Sequence, residues 1–238
     1  MAKLDLLEDS RRALEESWQE LGGTGTWWTG AERVALAAEA RAARRCGLCA
    51  ERRAAHSLRA AGAAHAAEAG LPAPVVDAVH RLATDPGRIT VRWLENLVAA
   101  GLEPEAVVEL VAIVSLLSLA DTLALAIGDP ARPLPRPRAG APSRVRPHGL
   151  ETGCAWVPTV DPARAEGTTR RLYEMIAADA GFVFHVARAL TAVPDALQTF
   201  FRAFAANYRT HGATQGPLSR PQVELLAAST SAENECFY

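Results

Sequence analysis

Lysine is all but missing from this chain: Lys3 is the only one, and the other 24 basic residues are arginine. A P-loop, a pyridoxal Schiff base and a lysine general base further along are thereby excluded. An excess of charge is missing too. The 25 basic and 27 acidic side chains leave a formal net charge of -2, without the electrostatic footprint of a general nucleic-acid binder. Residues 1–10 hold no apolar run and carry Asp5, Glu8 and Asp9, so no secretory signal is read there and the expected location is cytoplasmic. Sustained alternation of β-branched residues is absent, which argues against sheets. Only four cysteines occur, Cys46, Cys49, Cys154 and Cys236. Without an export signal, close-set thiols point to catalysis or metal binding rather than to a disulfide scaffold.

What is present is a helix-forming composition, rich in alanine, leucine, glutamate and arginine, and 49% hydrophobic. An all-α fold is expected. A first helix is predicted from about Leu4 to Glu20, ending at Gly22-Gly23. A long helical region opens at the capping box Thr29-Gly30-Ala31-Glu32 and is predicted to run to about Gly70, with breaks at Gly47 and Gly62. Shorter helices follow at Pro72–Thr84 and Thr90–Ala100. Glu105–Ile127 is the one candidate membrane span, but Glu109 and Asp121 lie inside it. An acidic residue near the bilayer centre costs roughly 2.5–3.5 kcal/mol, so a buried bundle helix is the better reading and no membrane partner is expected. If buried, both carboxylates need partners, and arginines are the expected ones.

Between Asp129 and His148 six prolines alternate with five arginines, which no helix tolerates. The chain thus divides into residues 1–128, a Pro/Arg-rich linker at 129–165, and helical patterning over 166–238. Ser219-Arg220-Pro221-Gln222 starts a further capped helix. Aligning Cys46 with Cys236 superimposes the two caps and pairs Leu36-Ala37-Ala38 with Leu226-Ala227-Ala228, a weak internal repeat.

Cys46-Gly47-Leu48-Cys49 is a C-x-x-C motif. A helix N-terminus stabilises a thiolate there. Arg44 and Arg45 precede the pair, while Arg52 and Arg53 follow Cys49 on its own helical face. Zinc would need four ligands in two tight pairs; one complete pair exists and the arginines would repel a cation. A reactive thiol pair is therefore preferred over a metal centre and over two inert buried cysteines. His56 and His65 are read as solvent-exposed or packing residues, Cys154 as a packed or idle thiol, and Trp27, Trp28 and Trp93 as core anchors or an oligomer contact.

The segment TGAERVALAAEARAARRCGLC, Thr29 to Cys49, resembles the core motif of the AhpD-like alkylhydroperoxidases of the carboxymuconolactone decarboxylase superfamily. The stretch from Thr84 to Gly128 is similar to the second half of such a unit, and Leu218 to Tyr238 to the opening of another. The resemblance implies a helical, usually oligomeric fold, here one full unit followed by the start of a second. It implies a thiol pair that reduces a peroxide and is re-reduced by a dithiol donor, with no bound cofactor or metal. It also implies a proton relay: a glutamate twelve residues before the first cysteine and a histidine four after the second. Glu224 holds the glutamate position relative to Cys236. Around Cys46 and Cys49 those positions are Val34 and Arg53, so the family's relay is missing there. Unbroken helix would also carry Glu224 about 18 Å from Cys236 and off its face, so that relay needs a bend, with Asn234 the best place for one.

On this reading Cys49 attacks, facing Arg52 and Arg53, and Cys46 resolves the sulfenic acid to a disulfide. The competing reading is a non-catalytic helical oligomerisation or interaction module, favoured by Val34 and Arg53. A lactone decarboxylase has little support, because such members do not depend on a C-x-x-C. One further expectation follows from Cys236-Phe237-Tyr238, where the pattern stops before a second cysteine: the next codon is expected to be a UGA meant as selenocysteine, and the gene sequence decides it.

Overall fold

The computed structural model describes residues 5–55, 64–208 and 218–234, and these are mostly helical, as composition implies. Ten helices are present among the described residues: α1 (Glu8–Leu21), α2 (Gly30–Ala43), α3 (Gly47–Ala54), α4 (Ala73–Thr84), α5 (Val91–Ala99), α6 (Pro104–Ile127), α7 (Gly167–Ala180), α8 (His185–Leu190), α9 (Pro194–Asn207) and α10 (Arg220–Glu233). A single antiparallel pair, β1 (Leu150–Glu151) with β2 (Thr159–Val160), sets Leu150 opposite Val160.

The local reasons are legible. Glu8 and Asp9 place negative charge at the positive end of α1, whose Leu14, Trp18 and Leu21 form one buried stripe. In α2 the Thr29 hydroxyl accepts from the Glu32 amide at 3.2 Å, and Glu32 accepts from the Thr29 amide at 2.8 Å. Pro104 opens α6 in its first turn, and Gly128 closes it in the left-handed region at φ 77°.

Helix α6 is the axis of the core. Helices α2, α4 and α9 pack around it, and α9 also lies along α1. Each Leu, Ile or Val that α6 buries, such as Leu110, Ile113 and Leu117, contributes roughly 1.5–3 kcal/mol. By length and composition α6 could cross a membrane, yet its two internal carboxylates are matched by arginines of α2 and its C-cap. Arg41 grips Asp121 with two bonds, 2.7 and 3.2 Å, and Arg44 adds a third at 3.1 Å. Arg33 lies 3.5 Å from Glu109. The expected arginine partners are thus the observed ones.

Residues 129–148 form neither helix nor strand and run over the first helices. Proline has removed their own amide donors, so their carbonyls and remaining amides bond outward. The Trp18 indole donates to the Pro133 carbonyl at 2.9 Å, and the Arg138 amide to the Gly22 carbonyl at 2.7 Å. Arg146 reaches Glu105 at 2.7 Å and Glu103 at 2.9 Å. Tyr173 of α7 donates to the Val160 carbonyl at 2.6 Å, tying the strand pair to the helices that follow.

Gly25 marks a tight crossing. A Cβ there would meet the Glu109 carboxylate, with its Cδ only 2.7 Å away. That carboxylate is pinned by the Trp27 amide at 2.6 Å. Gly25→Ala should therefore lower stability by about 1–3 kcal/mol, seen as a lower urea midpoint at unchanged slope. An unchanged midpoint would mean that Glu109 is free to yield.

Candidate thiol–histidine centre

Helix α2 ends at Ala43, and after a short turn Cys46 becomes the N-cap of α3 with extended backbone, φ -73° and ψ 123°. Cys49 sits in the first turn of α3. The helical region expected to reach Gly70 breaks at Gly47 as expected, but α3 ends at Ala54 and residues 64–69 are irregular. That change of path matters, because it returns His65 to the thiols. His65 Nδ1 lies 3.7 Å from Cys46 Sγ and 3.6 Å from Cys49 Sγ. His65 is therefore not exposed; its side chain, 8% exposed, packs on the His80 ring at 4.2 Å and faces both sulfurs. His56 lies outside the described residues.

Helix α4 supplies the rest. His80 Nδ1 is 3.2 Å from Cys49 Sγ, and its Nε2 is 2.8 Å from Glu39 Oε1. Glu39 and His80 are both completely buried. The second oxygen of Glu39 accepts from the Glu68 and Ala69 amides at 3.0 and 2.8 Å. One carboxylate from α2 thus orients an imidazole from α4 and anchors the irregular strand between them. Three residues before His80, Asp77 takes the other imidazole: His65 Nε2 lies 3.0 Å from Asp77 Oδ1, which also accepts from Arg52 at 2.9 Å. At His80 the carboxylate on Nε2 makes that nitrogen the N–H donor and leaves the Nδ1 lone pair directed at sulfur, whereas His65 Nε2 stands between Asp77 Oδ1 and the Arg52 guanidinium, each at 3.0 Å.

Charge follows from these contacts. Burial pushes the Cys46 thiol up, but backbone N–H groups of Ala66, Cys49 and Leu48 outweigh it and hold the group below its ordinary value. Burial dominates at Cys49 and raises it. Burial opposes the Glu39 carboxylate, yet the His80 bond and the two amides bring it below the usual range. Burial lowers His65, against the pull of Asp77.

Three of the four arginines read as a cationic ring around the thiols have other partners. Arg44 pairs with Asp121 at 3.1 Å, Arg45 with Glu68 at 3.1 Å and Arg52 with Asp77 at 2.9 Å. Arg53 is exposed on α3. Glu224 lies on α10, far along the chain from Cys46 and Cys49; it accepts from the Tyr208 hydroxyl at 3.0 Å and lies 3.6 Å from Arg220. Cys236 is outside the described residues.

Glu39, Asp77 and His80 stand at none of the family's relay spacings. Their signal was present in another form: each is a charged or polar residue at a position where helical periodicity calls for an apolar one, between Ala37 and Ala40 in α2 and beside Val76 and Val79 in α4.

A second thiol–imidazole contact joins Cys154 Sγ to His185 Nδ1 at 3.3 Å. It lies on the wall of an apolar cavity of about 750 Å³ that includes Trp93, Val107, Trp156 and Leu190. Compared with family models, curated proteins and solved structures, the chain matches none of them.

Proposed function

We propose that Cys46 and Cys49 are the redox pair of an AhpD-like thiol oxidoreductase that reduces peroxides and draws its electrons from an external dithiol. The observation that carries this reading is the file Cys49–His80–Glu39, with contacts of 3.2 and 2.8 Å in a fully buried setting. It performs the task that the resemblance gives to a glutamate and a histidine, using residues at other positions. His80 takes the Cys49 proton on Nδ1, and Glu39 stabilises the imidazolium through Nε2. The Cys49 sulfur then attacks the peroxide, cleaving the O–O bond; His80 returns the proton to the departing alkoxide, giving an alcohol and a Cys49 sulfenic acid. Cys46, held toward its thiolate by the α3 amides, displaces water from that sulfenic acid and closes the Cys46–Cys49 disulfide. A dithiol reduces it, becoming a disulfide itself. Assembly into a homo-oligomer belongs to the same proposal.

Peroxide consumption with dithiothreitol as donor tests it. Cys49→Ser and Cys46→Ser should each abolish turnover, and a Cys49→Ser chain as active as the unaltered one would overturn the reading. The alternative, a non-catalytic interaction module, draws support from α10, which buries none of its described residues and leaves Leu225 and Leu226 67% and 57% exposed.

A further inference from the structure

The geometry points to a zinc site in the reduced protein, made by Cys46, Cys49, His65 and His80. The four donor atoms, two Sγ and two Nδ1, all lie within 4.8 Å of one another. Three sulfur–nitrogen separations are 3.7, 3.6 and 3.2 Å. A tetrahedral Zn²⁺ with Zn–S of about 2.3 Å and Zn–N of about 2.0–2.1 Å has sulfur–nitrogen edges of about 3.5–3.6 Å. The donors therefore already stand near the corners of such a tetrahedron, and small shifts complete it.

The surroundings fit the same ion. Each imidazole turns Nδ1 toward the sulfurs and has a carboxylate at its Nε2, Glu39 at 2.8 Å for His80 and Asp77, beside Arg52, at 3.0 Å for His65, the arrangement that orients zinc-bound histidines. Two thiolates and two imidazoles select zinc over hard cations such as magnesium or calcium. The arginines do not oppose it, since Arg44, Arg45 and Arg52 are each engaged by a carboxylate. Cys46 is 4% exposed, Cys49 3% and His80 0%, so the site is closed, with four protein donors and no open position for water. The C-x-x-C lacks a second tight pair in sequence; the fold supplies the missing ligands from residues 16 and 31 positions beyond Cys49.

Capture is balanced by proton release: Zn²⁺ and two thiols give a neutral zinc dithiolate and two protons. Oxidation would reverse it. The zinc dithiolate, one peroxide and two protons give the disulfide, free Zn²⁺, one alcohol and one water. This release step rests on the redox reading above, whereas metal capture by the reduced chain does not. The bound ion would mask the thiols and tie α2, α3 and α4 together, and peroxide would discharge it.

The test is a titration of the full chain, reduced and stripped with a chelator, with Zn²⁺ and separately with Co²⁺. One ion per chain is expected, with tetrahedral cobalt d–d bands, thiolate charge-transfer absorption, and a rise in Tm of about 10 °C at saturating zinc. His65→Ala should weaken zinc at least 100-fold, and Asp77→Asn 10–100-fold. Absence of stoichiometric binding, or an octahedral cobalt spectrum without charge transfer, overturns the site whatever the variants do. Disulfide formation in metal-free protein is read separately. Thiols that oxidise in a chain that binds no zinc would sink the metal site alone, and a chain that binds zinc but whose metal-free thiols resist peroxide would sink the redox reading alone.

Discussion

Glu39→Ala should lower the stability of the reduced, metal-free chain by about 3–5 kcal/mol, a large part of what a domain of this size has to lose. The reason is the number of groups that one carboxylate serves. Its removal strands the buried His80 Nε2–H and the part-buried Glu68 and Ala69 amides, at contacts of 2.8, 3.0 and 2.8 Å. Each unpaired buried donor costs about 1–3 kcal/mol. A surface glutamate would cost a few tenths. Urea denaturation at matched slope measures the loss. A change below about 1 kcal/mol would mean that Glu39 is not the buried hub of this region, and the orientation assigned to His80 would lose its basis.

The second large effect concerns rate. His80→Ala should slow peroxide-driven oxidation of Cys49 by about 100-fold, the low end of what a positioned acid–base group contributes. Stability should fall as well, because the imidazole is completely buried. Two readouts separate the roles. Free imidazole should restore part of the rate by entering the vacated space, which a purely structural loss would not permit. The slowing should also persist under conditions where circular dichroism shows the variant fully helical. A folded His80→Ala chain that oxidises at the unaltered rate would remove His80 from the mechanism.

How far the sequence foretold all this differs between fold and site. Helices α4, α5 and α6 fall within a residue or two of their expected bounds, because proline, glycine and cap signals are local and their physics is complete within one turn. The stretch after Cys49 departs from expectation for the opposite reason. Alanine-rich sequence favours helix, but residues 64–69 are held in irregular backbone by Glu39, a tertiary contact that outweighs propensity. The site suffered the same limit. Cys46 and Cys49 are visible as a motif; His80 joins them from 31 residues away through the packing of α4 on α2 and α3, which no spacing rule encodes. Nor does the sequence show that the cations beside the C-x-x-C are matched, since Asp121, Glu68 and Asp77 reach Arg44, Arg45 and Arg52 only through the fold.

The most direct measurement is mass spectrometry of the reduced, metal-free chain after titration with one equivalent of peroxide and alkylation of the remaining thiols. A disulfide joining Cys46 to Cys49 is the expected result, formed as one peroxide is consumed, with Cys154 still open to alkylation. Recovery of Cys46 and Cys49 both alkylated, with the peroxide unspent, would contradict it.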